Sequence, residues 1–189
     1  MEKRIKLPSG RTDFRKIREY CNYYVDKTGN ISKLIRDDSD AILFTRPRRF
    51  GKTTFQSMLR AFFDIREDSR DIFSGLAIMN DEEAVENWMN RYPVIYLTFK
   101  DVDGLSFSSA VSKLRTQILE FFQSYAFLPD KGIPDGDEPA FRSILKNTAS
   151  VDEISQSLRL LVKLLYNYYG KKAIILIDEY DVPLDKAEK

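Results

Sequence analysis

The apolar run Ala41-Ile42-Leu43-Phe44-Thr45 leads into Arg46-Pro47-Arg48-Arg49-Phe50-Gly51-Lys52-Thr53-Thr54, and helical spacing begins directly afterwards. This stretch constrains the fold more than any other. A strand, a short loop ending in Gly-Lys-Thr and then a helix make the layout of a phosphate-binding P-loop, whose usual pattern is G-x-x-x-x-G-K-[ST]. The position of the first glycine holds Arg46. If that position needs positive φ, a non-glycine residue costs on the order of 1 kcal/mol. A triphosphate with magnesium held at micromolar affinity contributes about 8 kcal/mol. The departure therefore weakens the match without excluding binding. A bare Gly-Lys-Thr also recurs by chance, and the alternative is a turn that happens to be basic.

In such a loop successive backbone N–H groups point inward and the helix N-terminus adds positive potential. The converging amides come from about Arg49 to Thr53, so Arg49, Phe50, Gly51, Lys52, Thr53 and Thr54 form the expected nucleotide-binding set. Gly51 lets the backbone approach the phosphate closely. Lys52 places its charge near the β- and γ-phosphates, and Thr53 offers a hydroxyl to Mg²⁺. Pro47 lacks an N–H but sits where none is required.

A second motif follows near the end of the chain. Ala173-Ile174-Ile175-Leu176-Ile177-Asp178-Glu179 is a continuous apolar run ending in two acids. It matches a Walker B strand, in which the aspartate (Asp178) orients Mg²⁺ and the glutamate (Glu179) polarises the attacking water. The alternative is that two acids merely mark the strand's exit to solvent. Both motifs in this order, each at a strand end, favour the functional reading. The run shows no alternation, which predicts burial of both faces as in a central parallel strand. P-loop ATPases with this glutamate insert a further strand between the two motif strands, expected here after Asp178. Only Tyr180–Lys189 follows, so the sequence reads as an N-terminal fragment cut soon after Walker B.

Between the motifs, periodicity predicts helices over residues 14–20, 27–36, 53–64, 82–91, 106–125, 139–146 and 152–168, with a helical turn at 71–74. Asp13, Asp26 and Ser150 are candidate caps, and Gly170 a candidate stop. Phe55, Met58, Leu59 and Phe62 should face a sheet, and Val111, Leu114, Ile118 and Phe121 form one stripe. Val94-Ile95-Tyr96-Leu97-Thr98-Phe99 reads as a strand. Residues 127–138, with two prolines and two glycines, read as an exposed loop. Strands separated by crossover-length helices predict an α/β fold. The class is a P-loop NTPase three-layer sandwich with a mainly parallel sheet, incomplete at the C-terminus. Residues 1–40 form an N-terminal segment packing on an ATPase core of residues 41–189.

Composition excludes several classes. The chain is 43% hydrophobic and 31% charged, with 13 Phe and 10 Tyr, which suits a packed aromatic core. No apolar run approaches the ~20 residues of a membrane span, and no signal peptide is apparent at the N-terminus. One cysteine, Cys21, and no histidine leave no internal disulfide and no ligand set for structural zinc, and a reducing cytoplasm fits best. Residues 1–60 hold 15 Lys/Arg against 7 Asp/Glu, a balance of +8, and residues 61–189 hold 15 against 22, a balance of −7. A positive field around the loop suits a polyanionic ligand; mutual neutralisation of the two halves is the alternative. Bulk charge gives little support to DNA binding.

Three stretches together resemble one family. Tyr23-Tyr24-Val25-Asp26-Lys27-Thr28, Thr45-Arg46-Pro47-Arg48-Arg49-Phe50-Gly51-Lys52-Thr53 and Leu176-Ile177-Asp178-Glu179-Tyr180-Asp181-Val182-Pro183-Leu184 are similar to the bacterial AAA-ATPase-like proteins. Many of these carry a C-terminal nuclease-like domain of the PD-(D/E)xK type. The resemblance runs from Leu7 to Leu184. The family has Arg-Pro-Arg-Arg-Phe-Gly-Lys in its loop, which makes Arg46 a family trait. It implies ATP and Mg²⁺ as cofactors. Nucleic acid enters only through the absent C-terminal domain, and no membrane partner is implied. Tyr24 packs either on adenine or in the core, and Asp26 and Lys27 share that ambiguity. Arg48 and Arg49 contact phosphate, act as arginine fingers across a homo-oligomer boundary, or bond loop carbonyls or Asp181. Asp181 assists water or magnesium, or caps a helix.

The leading reading is an ATP·Mg²⁺-binding module from a P-loop ATPase that couples hydrolysis to conformational change. Two others stand beside it: a nucleotide-binding regulatory switch without significant hydrolysis, and an interaction scaffold with an empty loop.

Overall fold

The computed structural model of the chain describes residues 7–45, 47, 50–100 and 107–180, with backbone alone for 107 and 108. The chain divides into two compact units, Met1–Val94 and Ile95–Lys189. Together they give a mixed α/β fold with several helices and one small parallel two-stranded sheet. No helix among the described residues is long and apolar enough to cross a membrane.

The first unit is helical. In order it holds α1 (Phe14–Glu19), α2 (Gly29–Ile35), α3 (Lys52–Phe63), α4 (Arg70–Phe73), a 3₁₀ turn over Ala77–Asn80, and α5 (Glu82–Trp88). Asp13 caps α1 by accepting the Lys16 N–H at 2.9 Å, which satisfies one of the donors a helix start leaves without partners. Phe55, Met58, Leu59 and Phe62 fall on one side of α3 and are all buried. Within the unit this face meets α1 and the α4 aromatic. Phe73 lies 4.9 Å from Phe14 and 5.4 Å from Phe62, ring to ring. Each such buried phenylalanine contributes about 1.5–3 kcal/mol relative to an exposed one. The Phe14 N–H donates to Ser57 Oγ at 2.9 Å and joins α1 to α3 directly.

Asn90 closes the far end of α3. Its backbone takes φ +54, and its side-chain amide donates to the carbonyls of Ala61 and Asp64 at 3.2 and 2.9 Å. Its own N–H donates to Phe62 O at 2.7 Å. These bonds occupy carbonyls that a helix end otherwise leaves open. Asp64, fully buried, takes the Arg66 guanidinium on both oxygens, at 3.0 and 2.7 Å.

The second unit holds most of β1 (Val94–Thr98), then α6 (Phe107–Ser124), a 3₁₀ turn over Pro129–Lys131, α7 (Glu138–Leu145), α8 (Val151–Tyr169) and β2 (Ile174–Asp178). Its core collects Ile95 and Leu97 from β1 with Ile118, Phe122, Tyr125, Phe141, Leu161 and Leu165 from the helices. The buried stripe of α6 runs through Ile118 and Phe122, and Leu114 and Phe121 flank it half-buried. Ser150 begins α8 with a full capping box to Glu153, and Gly170 ends it at φ +64.

Three expectations are corrected. Residues 41–45 form no strand. A strand needs a neighbour to take its backbone bonds, and the described sheet contains β1 and β2 alone. Ile42 and Leu43 are left exposed, while Phe44 packs edge-on against Phe55 at 5.1 Å. β2 forms where expected but is not buried on both faces: Ile175 and Ile177 are 41% and 39% exposed. The helices of this unit gather around Ile95 and Leu97, so β1 and not β2 carries the sheet's contribution to the core. Residues 127–138 are largely a loop, as expected, but not exposed throughout. Leu128 is 3% exposed, and Phe127 packs on Tyr125 and Tyr168. The glycine and proline content marks turns correctly, but the intervening apolar residues anchor them.

Candidate functional site

One candidate group, in the first unit, is the start of α3. The Phe50 N–H donates to Pro47 O at 3.4 Å, closing a turn before the helix. Gly51 follows at φ +76, ψ +25 and serves as N-cap. A Cβ added there meets no heavy atom within 4 Å. The demand for glycine at this position is thus conformational, worth about 1–2 kcal/mol, and the space in front of it is open. Gly51 O accepts the Phe55 N–H at 2.9 Å, the first bond of the helical ladder. As a glycine, Gly51 brings no capping side chain to this helix start, and first-turn amides such as those of Lys52, Thr53 and Thr54 are donors at the positive end of the α3 dipole. Lys52, Thr53 and Thr54 are half-buried, Phe50 is 62% exposed, and within its unit Lys52 makes no ion pair among the described residues. Arg49, together with Arg46 and Arg48, lies outside the described residues.

A second candidate group, in the second unit, lies at the end of β2. Asp178 is 3% exposed. Its Oδ2 accepts the Tyr96 hydroxyl at 3.3 Å, and its Oδ1 accepts the Glu179 N–H at 3.1 Å. Its main-chain carbonyl accepts the Phe99 N–H at 3.0 Å, which continues the pairing of β1 with β2 past Thr98. Within the unit no cation pairs with this carboxylate among the described residues. A buried charge held only by neutral donors is costly unless a cation completes it. Glu179 itself sits at φ +54, a left-handed conformation that costs a residue with a Cβ about 1–2 kcal/mol. Strain of this kind concentrates at functional positions.

The residues expected from sequence thus fall in two groups: Gly51, Lys52, Thr53 and Thr54 at one helix start, and Asp178 with Glu179 at one strand end. Asp181 lies outside the described residues, as do Val182-Pro183-Leu184. Tyr96 joins the second group, and sequence reasoning did not single it out. The available signal was strand alternation: Ile95 and Leu97 are buried, which turns Tyr96 and Thr98 to the other face.

The motif around Tyr24 has a structural role in the first unit. The Tyr24 ring meets Phe14 edge-on at 5.2 Å and its hydroxyl donates to Met58 Sδ at 3.2 Å. Burial pushes its phenol up. Asp26 does not cap α2, whose N-cap is Thr28. Instead Asp26 Oδ1 accepts the N–H and O–H of Thr28 at 2.8 and 2.7 Å, and Oδ2 accepts the Ala77 N–H at 2.7 Å. Lys27 is exposed.

A family described as "Predicted AAA-ATPase" matches residues 8–189. The chain is also similar to an uncharacterized protein in the vnfD 5′ region of Azotobacter chroococcum mcd 1. The two are 30% identical over 182 residues, which is 96% of this chain and 30% of that protein. The chain therefore spans less than a third of that relative's length. No solved structure matches it.

Proposed function

The chain belongs to the AAA-ATPase-like family of predicted AAA-ATPases, and on that premise we propose that it is an ATP·Mg²⁺-binding module of a P-loop ATPase. The observation that supports this most is Gly51, left-handed at the helix start and followed at once by Lys52 and Thr53. A backbone shaped this way presents consecutive N–H donors to an anion. In the proposal the amides from Arg49 to Thr54 cradle the phosphates and Lys52 supplies charge at the β- and γ-positions. The core begins at residue 41, residues 1–40 pack on it, and the sheet belongs to a P-loop three-layer sandwich.

The donor set fits magnesium. Thr53 and Asp178 offer hard oxygen ligands, and no group of three or more His, Cys, Asp or Glu gathers among the described residues. Mg²⁺ in nucleotide sites takes one or two carboxylates with substrate phosphates rather than an all-protein cage. When bound it neutralises charge on the phosphate oxygens. Asp178 orients it from a buried position, and Glu179 accepts a proton from water. Hydrolysis and the conformational change it drives are proposed for a protein of the relatives' length.

Phosphate release tests the assignment of Glu179. In a protein of the relatives' length with Mg·ATP, where the wild type should release phosphate, Glu179→Gln should retain nucleotide binding and lose phosphate release. Release that persists in the variant removes Glu179 from the role of base.

A further inference from the structure

We propose that Tyr96 is a positioning residue that fixes Asp178 for magnesium. The inference rests on the nucleotide reading above and deepens it. Asp178 is the last residue of β2 and is buried, so its carboxylate is oriented by whatever donors surround it. Among the described residues two are present, from different parts of the chain. The Glu179 N–H comes from the next peptide and reaches Oδ1. The Tyr96 hydroxyl comes from β1, 82 residues earlier in the chain, and reaches Oδ2. The pair restrains rotation of the carboxylate about its Cβ–Cγ bond. Among the described residues each oxygen accepts one side-chain or backbone donor, and a carboxylate oxygen has a second lone pair that a cation or its water can use.

Tyr96 is suited to this role by its place in the strand. Its neighbours Ile95 and Leu97 anchor β1 in the helical core, 0% and 7% exposed. The backbone beneath the phenol is therefore held by packing on the opposite face, and Phe99 N–H to Asp178 O locks the register. Partners that orient a metal-binding carboxylate in this way matter to metal affinity about 10–100-fold.

The test uses the 189-residue chain and a fluorescent ATP analogue, titrated with Mg²⁺ and, separately, in EDTA. Tyr96→Phe keeps the ring and removes the hydroxyl. The expected result is an Mg²⁺ half-saturation raised about tenfold, with affinity in EDTA unchanged. A Tyr96 that serves packing alone would shift the thermal midpoint and leave the Mg²⁺ dependence as it is, and that result overturns the inference. An Asp178→Asn background supplies a second check: there Tyr96→Phe should add nothing further to the Mg²⁺ dependence. An additional loss in that background shows that Tyr96 acts elsewhere and also overturns it. If the wild-type chain binds the analogue with no Mg²⁺ dependence, the magnesium site and this inference fail together. If wild-type binding is Mg²⁺-dependent and Tyr96→Phe matches it, only the role of Tyr96 fails.

Discussion

The Thr28 hydroxyl and the Ile78 backbone N–H are joined by a 3.1 Å hydrogen bond in the interior of the first unit, although they lie 50 residues apart in the chain. Thr28 is fully buried, and its hydroxyl also donates to Asp26. The start of α2 is thereby tied to the 3₁₀ turn over Ala77–Asn80. Thr28→Val preserves shape and strands the Ile78 N–H without an acceptor. The expected cost is about 1–3 kcal/mol, read from urea midpoints. A change near zero shows that water or another acceptor replaces the threonine.

Asp26 gives the same clamp a pH dependence. Partial burial alone raises its carboxyl, but bonds from the Thr28 hydroxyl, the Ala77 N–H and the Thr28 N–H, with the Arg18 charge, outweigh it and hold the group below its ordinary value. A lowered folded-state value contributes stability that is present above the unfolded value and is lost as pH falls through the folded one. The stability gap between wild type and Asp26→Asn should therefore be full at pH 7 and close as the solution is acidified past the carboxylate range. Urea titrations across that window check it. A gap that widens on acidification reverses the sign and contradicts the clamp.

Glu179 carries strain that a glycine would relieve. Its φ of +54 costs about 1–2 kcal/mol for a residue with a Cβ. Glycine adds back roughly 0.5–1 kcal/mol of chain entropy in the unfolded state. Relief exceeds the added entropy, so Glu179→Gly should stabilise the chain by about 0.5–1 kcal/mol while losing the proposed base. A lowered thermal midpoint shows instead that the Glu179 side chain contributes to folding.

Sequence reasoning read helices well because their signals are local. The Ser150 cap, the Gly170 stop and the one-sided burial of Phe55, Met58, Leu59 and Phe62 all appear where spacing placed them. It failed where the outcome depends on a distant neighbour. Ala41–Thr45 has the composition of a strand, but pairing is decided by an edge that hydropathy cannot report. The β2 run is apolar throughout, yet the helices of its unit settle on β1. At the candidate site the same division holds. The helix start after Gly51 follows from Gly-Lys-Thr itself, whereas positive φ, weighed from sequence only for position 46, is found at Gly51. Tyr96 became visible only when β1 and β2 were brought side by side, because its bond to Asp178 spans 82 residues. Asp26 looked like a helix cap from its neighbours, whereas its second partner, Ala77, lies 51 residues away.

The central claim is that the Gly51–Thr54 helix start holds a nucleotide through Lys52, and calorimetry of the 189-residue chain with Mg·ATP tests it most directly. Lys52→Ala removes the ammonium at a first-turn position where alanine is an excellent helix former, so folding should survive, as a thermal melt can verify. The account predicts saturable heat for wild type, with a binding free energy of about 8 kcal/mol if affinity is micromolar, and none for the variant. No heat from the wild type, or equal heat from Lys52→Ala, contradicts it.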